Sequence, residues 1–432
     1  MSKNIHPTTS HPEDTTRSWR APIAGLLAAL LVATLVACGG GGGSSSAGVG
    51  TGGTGSFAVG TISGFGSIIV NGVRYDDSNA TVLDDDDNSS SSSSLSIGQV
   101  VELRGAVNDD GLKGTASSIS FFSALKGPVT NVNPGAGTVT VFGQVVNVTA
   151  TTLFSGVANL NGIAVGSVIE VYGLPDATGA ITATRIEYEA ASVAAFSGDF
   201  RIRGTVSGLV ATSPGQQFAV GTVTVQTDST TTVIGTVANG VFVKVRLDKT
   251  AIAANTYLAK RVKVKERAYE NGVNKAEVQG LISEFTSATA PFKVNGYAVQ
   301  LGSSVTYKNG VVGDLVNDAR IEAKGTVTSG VLVISKVEFD SENNDGGGDG
   351  SAAPYEFHGV VATCNPTPCA SPSGEIVVHG ARDVTVQYNS QTHIVGPLTA
   401  ATLLNAKVEV KAIAQSGSGG TTLLATRIKT DN

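Results

Sequence analysis

From residue 57 onward, apolar and polar residues alternate in runs of four to eight positions, and each run is cut by glycine. Ile68-Ile69-Val70, Asn71-Gly72 and Val73-Arg74-Tyr75 show the pattern most clearly. Period-2 alternation puts every second side chain on one face of a strand. Asn-Gly between two such runs predicts a hairpin whose two turn residues take positive φ. The pattern recurs about every 65–80 residues, which marks a tandem array. Each unit opens on a glycine followed two residues later by a β-branched residue: Gly60/Ile62, Gly127/Val129, Gly204/Val206, Gly280/Ile282 and Gly359/Val361. A hairpin follows, at Val70-Asn71-Gly72, Val141-Phe142-Gly143, Val220-Gly221, Val294-Asn295-Gly296 and Val378-His379-Gly380. Then come a variable segment, an alternating strand such as Val101-Glu102-Leu103-Arg104-Gly105, and a closing strand such as Ala116 to Ile119.

One unit therefore holds five short strands. A sheet that small buries its apolar face by closing on itself or by packing on a neighbour. The expected fold is all-β: tandem five-stranded barrels like the oligonucleotide/oligosaccharide-binding (OB) fold, with β-sandwiches of paired units as the alternative. A short helix between the third and fourth strands is expected at residues 152–160 and 397–404. The repeats are placed at 57–123, 124–190, 200–268, 276–340 and 355–432. The third is the most degenerate, because Val243-Lys244-Val245 lacks the Glu and the closing Gly. Residues 341–354, rich in Gly, Asp and Asn, read as a flexible linker. Repeats 1 to 4 are expected to form a rod, with repeat 5 hinged on it.

The series G-x-[VI]-S, V-N-G, G-x-x-V-E-[LV]-x-G and A-x-x-[IV] resembles the bacterial domain of unknown function 5666. In the first unit it is carried by Gly60, Ile62, Ser63, Val70, Asn71, Gly72, Gly98, Val101, Glu102, Gly105 and Ile119. The resemblance implies the small-barrel fold and a tandem arrangement on lipoproteins, and it implies no activity.

The N-terminal pattern is different. Arg17 and Arg20 precede an apolar run over residues 21–37, the length of a signal h-region with its cleavage region. It ends in Leu35-Val36-Ala37-Cys38, which resembles the bacterial lipobox. That resemblance implies a signal peptide over residues 1–37 and lipid attachment at Cys38. Gly39 after the cysteine implies outer-membrane sorting. The Gly/Ser stretch that completes the 38–56 tether would span about 20–25 Å as a flexible coil.

Composition removes several classes. A net charge of −6 argues against a nucleic-acid partner. No P-loop, dinucleotide fingerprint or G-x-S-x-G motif is present. Asp84, Asp85, Asp86 and Asp87 offer oxygen ligands of the kind Ca²⁺ prefers, but consecutive residues do not converge on one ion. The loop is expected to be solvated. His358, His379 and His393 are the histidines of repeat 5. They occupy unrelated places in the repeat pattern, so a shared metal site is not expected. Cys364 and Cys369 bracket a short loop that, in an oxidising compartment, is expected to close as a disulfide contributing about 2 kcal/mol. Glu102, Glu170, Glu322 and Glu409 recur on the fourth strand, alternating with apolar neighbours. They are expected to face outward and discourage edge pairing.

The reading is a non-catalytic binding or structural lipoprotein of the cell envelope, lipid-anchored in the bacterial outer membrane. Its expected partners are the membrane and an envelope glycan or protein, with no cofactor. A protein that senses or binds a ligand or a divalent cation such as Ca²⁺ through its acidic loops is the alternative, and an envelope enzyme ranks third.

Overall fold

The computed structural model describes residues 54–431 apart from 109, 176–178, 340–354, 370–371 and 418–419. The signal peptide, Cys38, most of the tether and the linker at 341–354 lie outside the described residues.

The first repeat consists of β1 (Thr54–Phe65), β2 (Ile68–Val70), β3 (Val73–Asp76), β4 (Thr81–Leu83), β5 (Ser89–Ser90), β6 (Val100–Val107) and β7 (Lys113–Phe122). β1 pairs antiparallel with β2 and with β6, β2 with β3, and β6 with β7. β3 and β4 both run parallel to β7, which closes the cylinder. The closed path β1–β2–β3–β7–β6–β1 is an OB-type barrel, with the short β4 extending the third strand. Closure pairs both sides of the main strands, so alternate side chains have one interior to fill: Val101 and Leu103 of β6 are fully buried.

The other four repeats close by the same path. Their first strands are Leu125–Asn133, Phe200–Ala211, Val273–Ser283 and Tyr355–Asn365. In each, the third strand runs parallel to the fifth, as Gln144–Ser155 does to Ile181–Ala190 and Tyr297–Lys308 to Val331–Phe339. Every repeat is thus its own barrel, and the paired-sandwich alternative falls away. Between the third and fourth strands sit single 3₁₀ turns, at Ser92–Ser94, Leu160–Gly162, Val312–Asp314 and Ala400–Thr402. The helix expected at 152–160 is instead strand as far as Ser155, because Thr152, Leu153 and Phe154 are buried in the barrel wall.

The opening glycine and the hairpin turn form one device. Asn71 (φ 51°) and Gly72 (φ 74°) make the predicted left-handed turn, as do Asn295 and Gly296. Asn71 Nδ2 donates back to the Val59 carbonyl at 3.1 Å, and Asn295 Nδ2 donates to Gln279 O at 3.2 Å. A Cβ on Gly60 would overlap the Asn71 amide, so the residue facing the turn has to be glycine. Repeat 2 uses the same gap differently: Phe142 (φ 55°) lays its ring on Gly127.

The barrels do not form a rod. The first half of β1 also pairs parallel with the first strand of repeat 4 (Phe57↔Ala276), and its end pairs parallel with repeat 5 (Phe65↔Phe357). Repeat 2 pairs with repeat 3 (Ile202↔Leu125) and touches repeat 5 at Ser155↔Gly420. Three cores result. Repeats 1 and 5 share one, repeats 2 and 3 another, and Phe57 and Val59 of repeat 1 enter that of repeat 4. Repeat 5 is docked on repeats 1 and 2, since its first strand completes pairing at the end of β1.

Candidate functional site

The four aspartates of repeat 1 form the turn between β4 and β5. Asp84 Oδ1 accepts from the backbone N–H of Asp86 and of Asn88, both at 2.9 Å, which folds the turn and leaves the next three carboxylates to project. They meet repeat 3. Asp85 Oδ1 lies 2.6 Å from Arg203 Nη2 and 3.3 Å from Lys244 Nζ, and Ser123 Oγ donates to Oδ2 at 3.2 Å. Asp86 pairs with Arg201 at 2.7 Å, and Asp87 with Lys263 at 2.7 Å. Arg261 Nη1 donates to the Asp86 carbonyl at 3.0 Å, and the Arg203 guanidinium stacks 3.9 Å over the Phe122 ring.

The expected solvated loop is therefore an ordered plug with Asp85 only 6% exposed. Burial works against the Asp85 charge, but Arg203, Lys244 and Arg201 outweigh it and hold the carboxyl well below the usual carboxylate range. The three projecting carboxylates face cations rather than one common centre.

The signal for this contact lay in the irregularity of repeat 3. Lys244 stands where the other repeats carry Glu102, Glu170, Glu322 and Glu409, and it is one of the cations that receive Asp85. The glutamates themselves do not protect edges, because the fourth strand is paired on both sides in a closed barrel. They make contacts on the outer face instead. Glu102 meets Lys265 at 3.1 Å and accepts from Tyr297 Oη of repeat 4 at 3.4 Å. Glu170 meets Lys126 at 2.6 Å, and Glu409 meets Lys429 at 2.8 Å. Glu322 is hydrogen-bonded to Glu277, and burial together with that neighbour holds its carboxyl well above the ordinary range.

The histidines are not brought together. His379 pairs with Asp383 at 2.5 Å on the exposed hairpin, and His393 is exposed on a two-residue strand. His358 is buried on the outer face of repeat 5, beside Glu356 and Asp431. Cys364 and Cys369 are joined, with Cα atoms 5.0 Å apart, and both are buried in the core shared by repeats 1 and 5.

A cavity of about 270 Å³ opens between repeats 2 and 5. Val148, Phe154 and Leu160 supply its apolar surface. Thr149, Asn159, Asn161 and, from repeat 5, Gln415 and Thr421 supply polar groups; among the described residues no charged side chain lines it. Phe154 N donates to Thr421 Oγ1 at 2.6 Å, which ties the two repeats at its edge. Asn159 Oδ1 accepts from Asn161 N at 2.9 Å. Among the described residues the Asn159 amide hydrogens and the Asn161 and Gln415 side chains carry no protein hydrogen bond. Sequence reasoning missed Gln415 and Thr421, because the site exists only where two repeats distant in sequence meet.

A family model described as Domain of unknown function (DUF5666) matches residues 58–120, 126–187, 203–263 and 359–429. The degenerate third repeat is matched. The fourth is not, although its barrel closes in the same strand order. Among solved structures, one named drosophila Unr CSD456 is similar over 53% of this chain and 96% of that chain, at 12% sequence identity and a TM-score of 0.13. No curated protein matches the sequence.

Proposed function

The chain belongs to the family described as Domain of unknown function (DUF5666), and on that premise we propose that it is a non-catalytic binding lipoprotein of the bacterial cell envelope. Its body is five barrels locked together, and Cys38 is its lipid anchor in the outer membrane. The observation that carries the binding role is the cavity between repeats 2 and 5. Its volume is near the lower end of the roughly 300–1,000 Å³ of small-molecule sites, enough for one sugar ring. An apolar wall of Val148, Phe154 and Leu160, a rim of Thr and amide groups, and the absence of charge among the described lining residues favour an uncharged, polyhydroxylated ligand over an ionic one. A segment of envelope glycan fits that chemistry.

The test is calorimetric titration of the mature protein with neutral oligosaccharides. Saturable binding is expected. Ala150→Trp, at an exposed position on the cavity wall, should weaken it by about tenfold or more, or about 1.4 kcal/mol. Equal binding by the variant, or none by the parent, overturns the glycan reading.

The anchor is tested separately. Cys38→Ser is expected to leave an uncleaved, unacylated precursor, seen as the retained mass of residues 1–37 in intact-protein mass spectrometry. Normal processing of that variant would remove the anchor from the proposal.

A further inference from the structure

Cross-strand register on the outer face of repeat 5 assembles a group that the binding reading does not use. His358 of the first strand lies directly opposite Glu409 of the fourth, Lys407–Gly417. Glu356, two residues before His358, projects from the same face. One ligand atom from each of Glu356, His358 and Glu409 lies within 4.8 Å of the others. His358 Nε2 sits 2.7 Å from Glu356 Oε1, while Nδ1 sits 3.1 Å from Asp431 Oδ1.

The imidazole is only 8% exposed, and Nδ1 makes no aligned hydrogen bond. A neutral imidazole has one N–H and one lone pair. Here both nitrogens face carboxylate oxygens, so one of them meets lone pair with lone pair unless a second cation is present, either a proton or a metal.

We propose that Glu356, His358 and Glu409 form a binding site for a divalent transition metal of the zinc class. Nε2 and one oxygen from each glutamate are the ligands, and Asp431, 3.1 Å behind the ring, becomes the acceptor for Nδ1–H once ligation aligns the imidazole. A carboxylate in that place is the usual partner of a metal-bound histidine, because it fixes the tautomer and raises the basicity of the ligand nitrogen. The imidazole nitrogen selects a transition metal over Mg²⁺ or Ca²⁺, both carboxylate and imidazole are ligands that Zn²⁺ accepts, and three of them leave the fourth position of a tetrahedral ion open. Ligands at about 2.0–2.1 Å from zinc stand ~3.3 Å apart, between the present 2.7 Å of Nε2 from Glu356 Oε1 and the 4.8 Å that bounds the group. Lys429 holds Glu409 Oε2, and the other oxygen of that carboxylate is the ligand. Lys407 and Arg74 approach the other oxygen of Asp431, at 3.6 and 3.9 Å from Oδ2, and Lys411 stands opposite Glu356 across the strand pair, so the ion has to compete with Lys411 and Lys429 for the two glutamates. Gly64 and Phe65 of β1 pair with residues 356 and 357, so the bound ion would sit beside the junction of repeats 1 and 5.

The experiment is titration of chelator-treated mature protein with Zn²⁺ at pH 7.5, followed by calorimetry and by the nitrogen chemical shifts of the His358 ring. One equivalent is expected to bind, with Nε2 shifting as a metal ligand and Nδ1 remaining protonated. Glu409→Gln and Glu356→Gln, which keep side-chain size, should each lower affinity at least about tenfold. His358→Ala should abolish the site. Zn²⁺ uptake unchanged in all three variants would place the ion elsewhere and overturn the proposal. So would a His358 ring doubly protonated and indifferent to Zn²⁺, which would mean an imidazolium paired to two carboxylates.

Discussion

Replacing Asp85 with alanine is expected to destabilise the protein by about 3–5 kcal/mol, the range for removing one partner of a buried ion pair. The cost comes from what stays behind: Arg203, 91% buried, and Lys244, 88% buried, would face each other without their shared carboxylate. Urea denaturation followed by circular dichroism measures it. A loss below about 1 kcal/mol would rank the contact with ordinary surface pairs. The pH dependence gives a second reading. The folded-state pKa of Asp85 is depressed, so its contribution is complete above the unfolded carboxylate value of about 3.9. It is lost as pH falls through the lower folded value. The parent protein should therefore lose stability steeply below about pH 4, and Asp85→Asn should flatten that part of the profile.

Phe142→Ala is expected to cost about 3–5 kcal/mol, as for other fully buried phenylalanines. The ring leans edge-on against Phe200 at 5.3 Å and Tyr257 at 5.2 Å in repeat 3. The carbonyl of the same residue accepts from Thr222 Oγ1 and Asn255 Nδ2, each at 2.9 Å. A second variant separates the turn from the interface. Asn suits a positive φ, as Asn71 shows at the equivalent place, so Phe142→Asn preserves the hairpin while deleting the ring. Unfolding of Phe142→Asn should still fall by about 3 kcal/mol or more. Parent-like stability in that variant would mean that the ring does not join repeats 2 and 3.

Strand order within each barrel was legible in the sequence because it follows from local rules. Alternation sorts Val101 and Leu103 from Glu102 and Arg104, and Asn71-Gly72 fixes a register that the closing strands then have to meet. The relations between barrels were hidden for a physical reason. Period-2 patterning says that Glu102 points away from its own core, and solvent and a neighbouring repeat look alike from there. The acidic turn had a visible complement, the cations Arg201, Arg203, Lys244, Arg261 and Lys263 on three strands of repeat 3. Charge balance alone does not say that two segments more than a hundred residues apart touch. His358 was equally silent, because its partners Glu409, on the fourth strand, and Asp431, just past the fifth, are placed only once the barrel closes.

In most tandem arrays each repeat leans on its neighbours in sequence, and stability grows link by link. Here the first barrel holds contacts with all four others, out to the Arg382–Asp77 pair 305 residues apart. Domains fold in order as a chain is made, so this barrel is complete long before the surfaces that cover it exist. Closing so long a loop adds little entropic cost, since that cost rises only logarithmically with length. The delay matters more than the distance. Until repeat 4 arrives, the first half of β1, which β6 pairs on one side only, keeps an unpaired edge, open to pairing with β1 of another chain. Assembly should therefore be a race between capture of that edge by its own C-terminal half and capture by a second copy, with mispairing expected to rise with the concentration of incomplete chains.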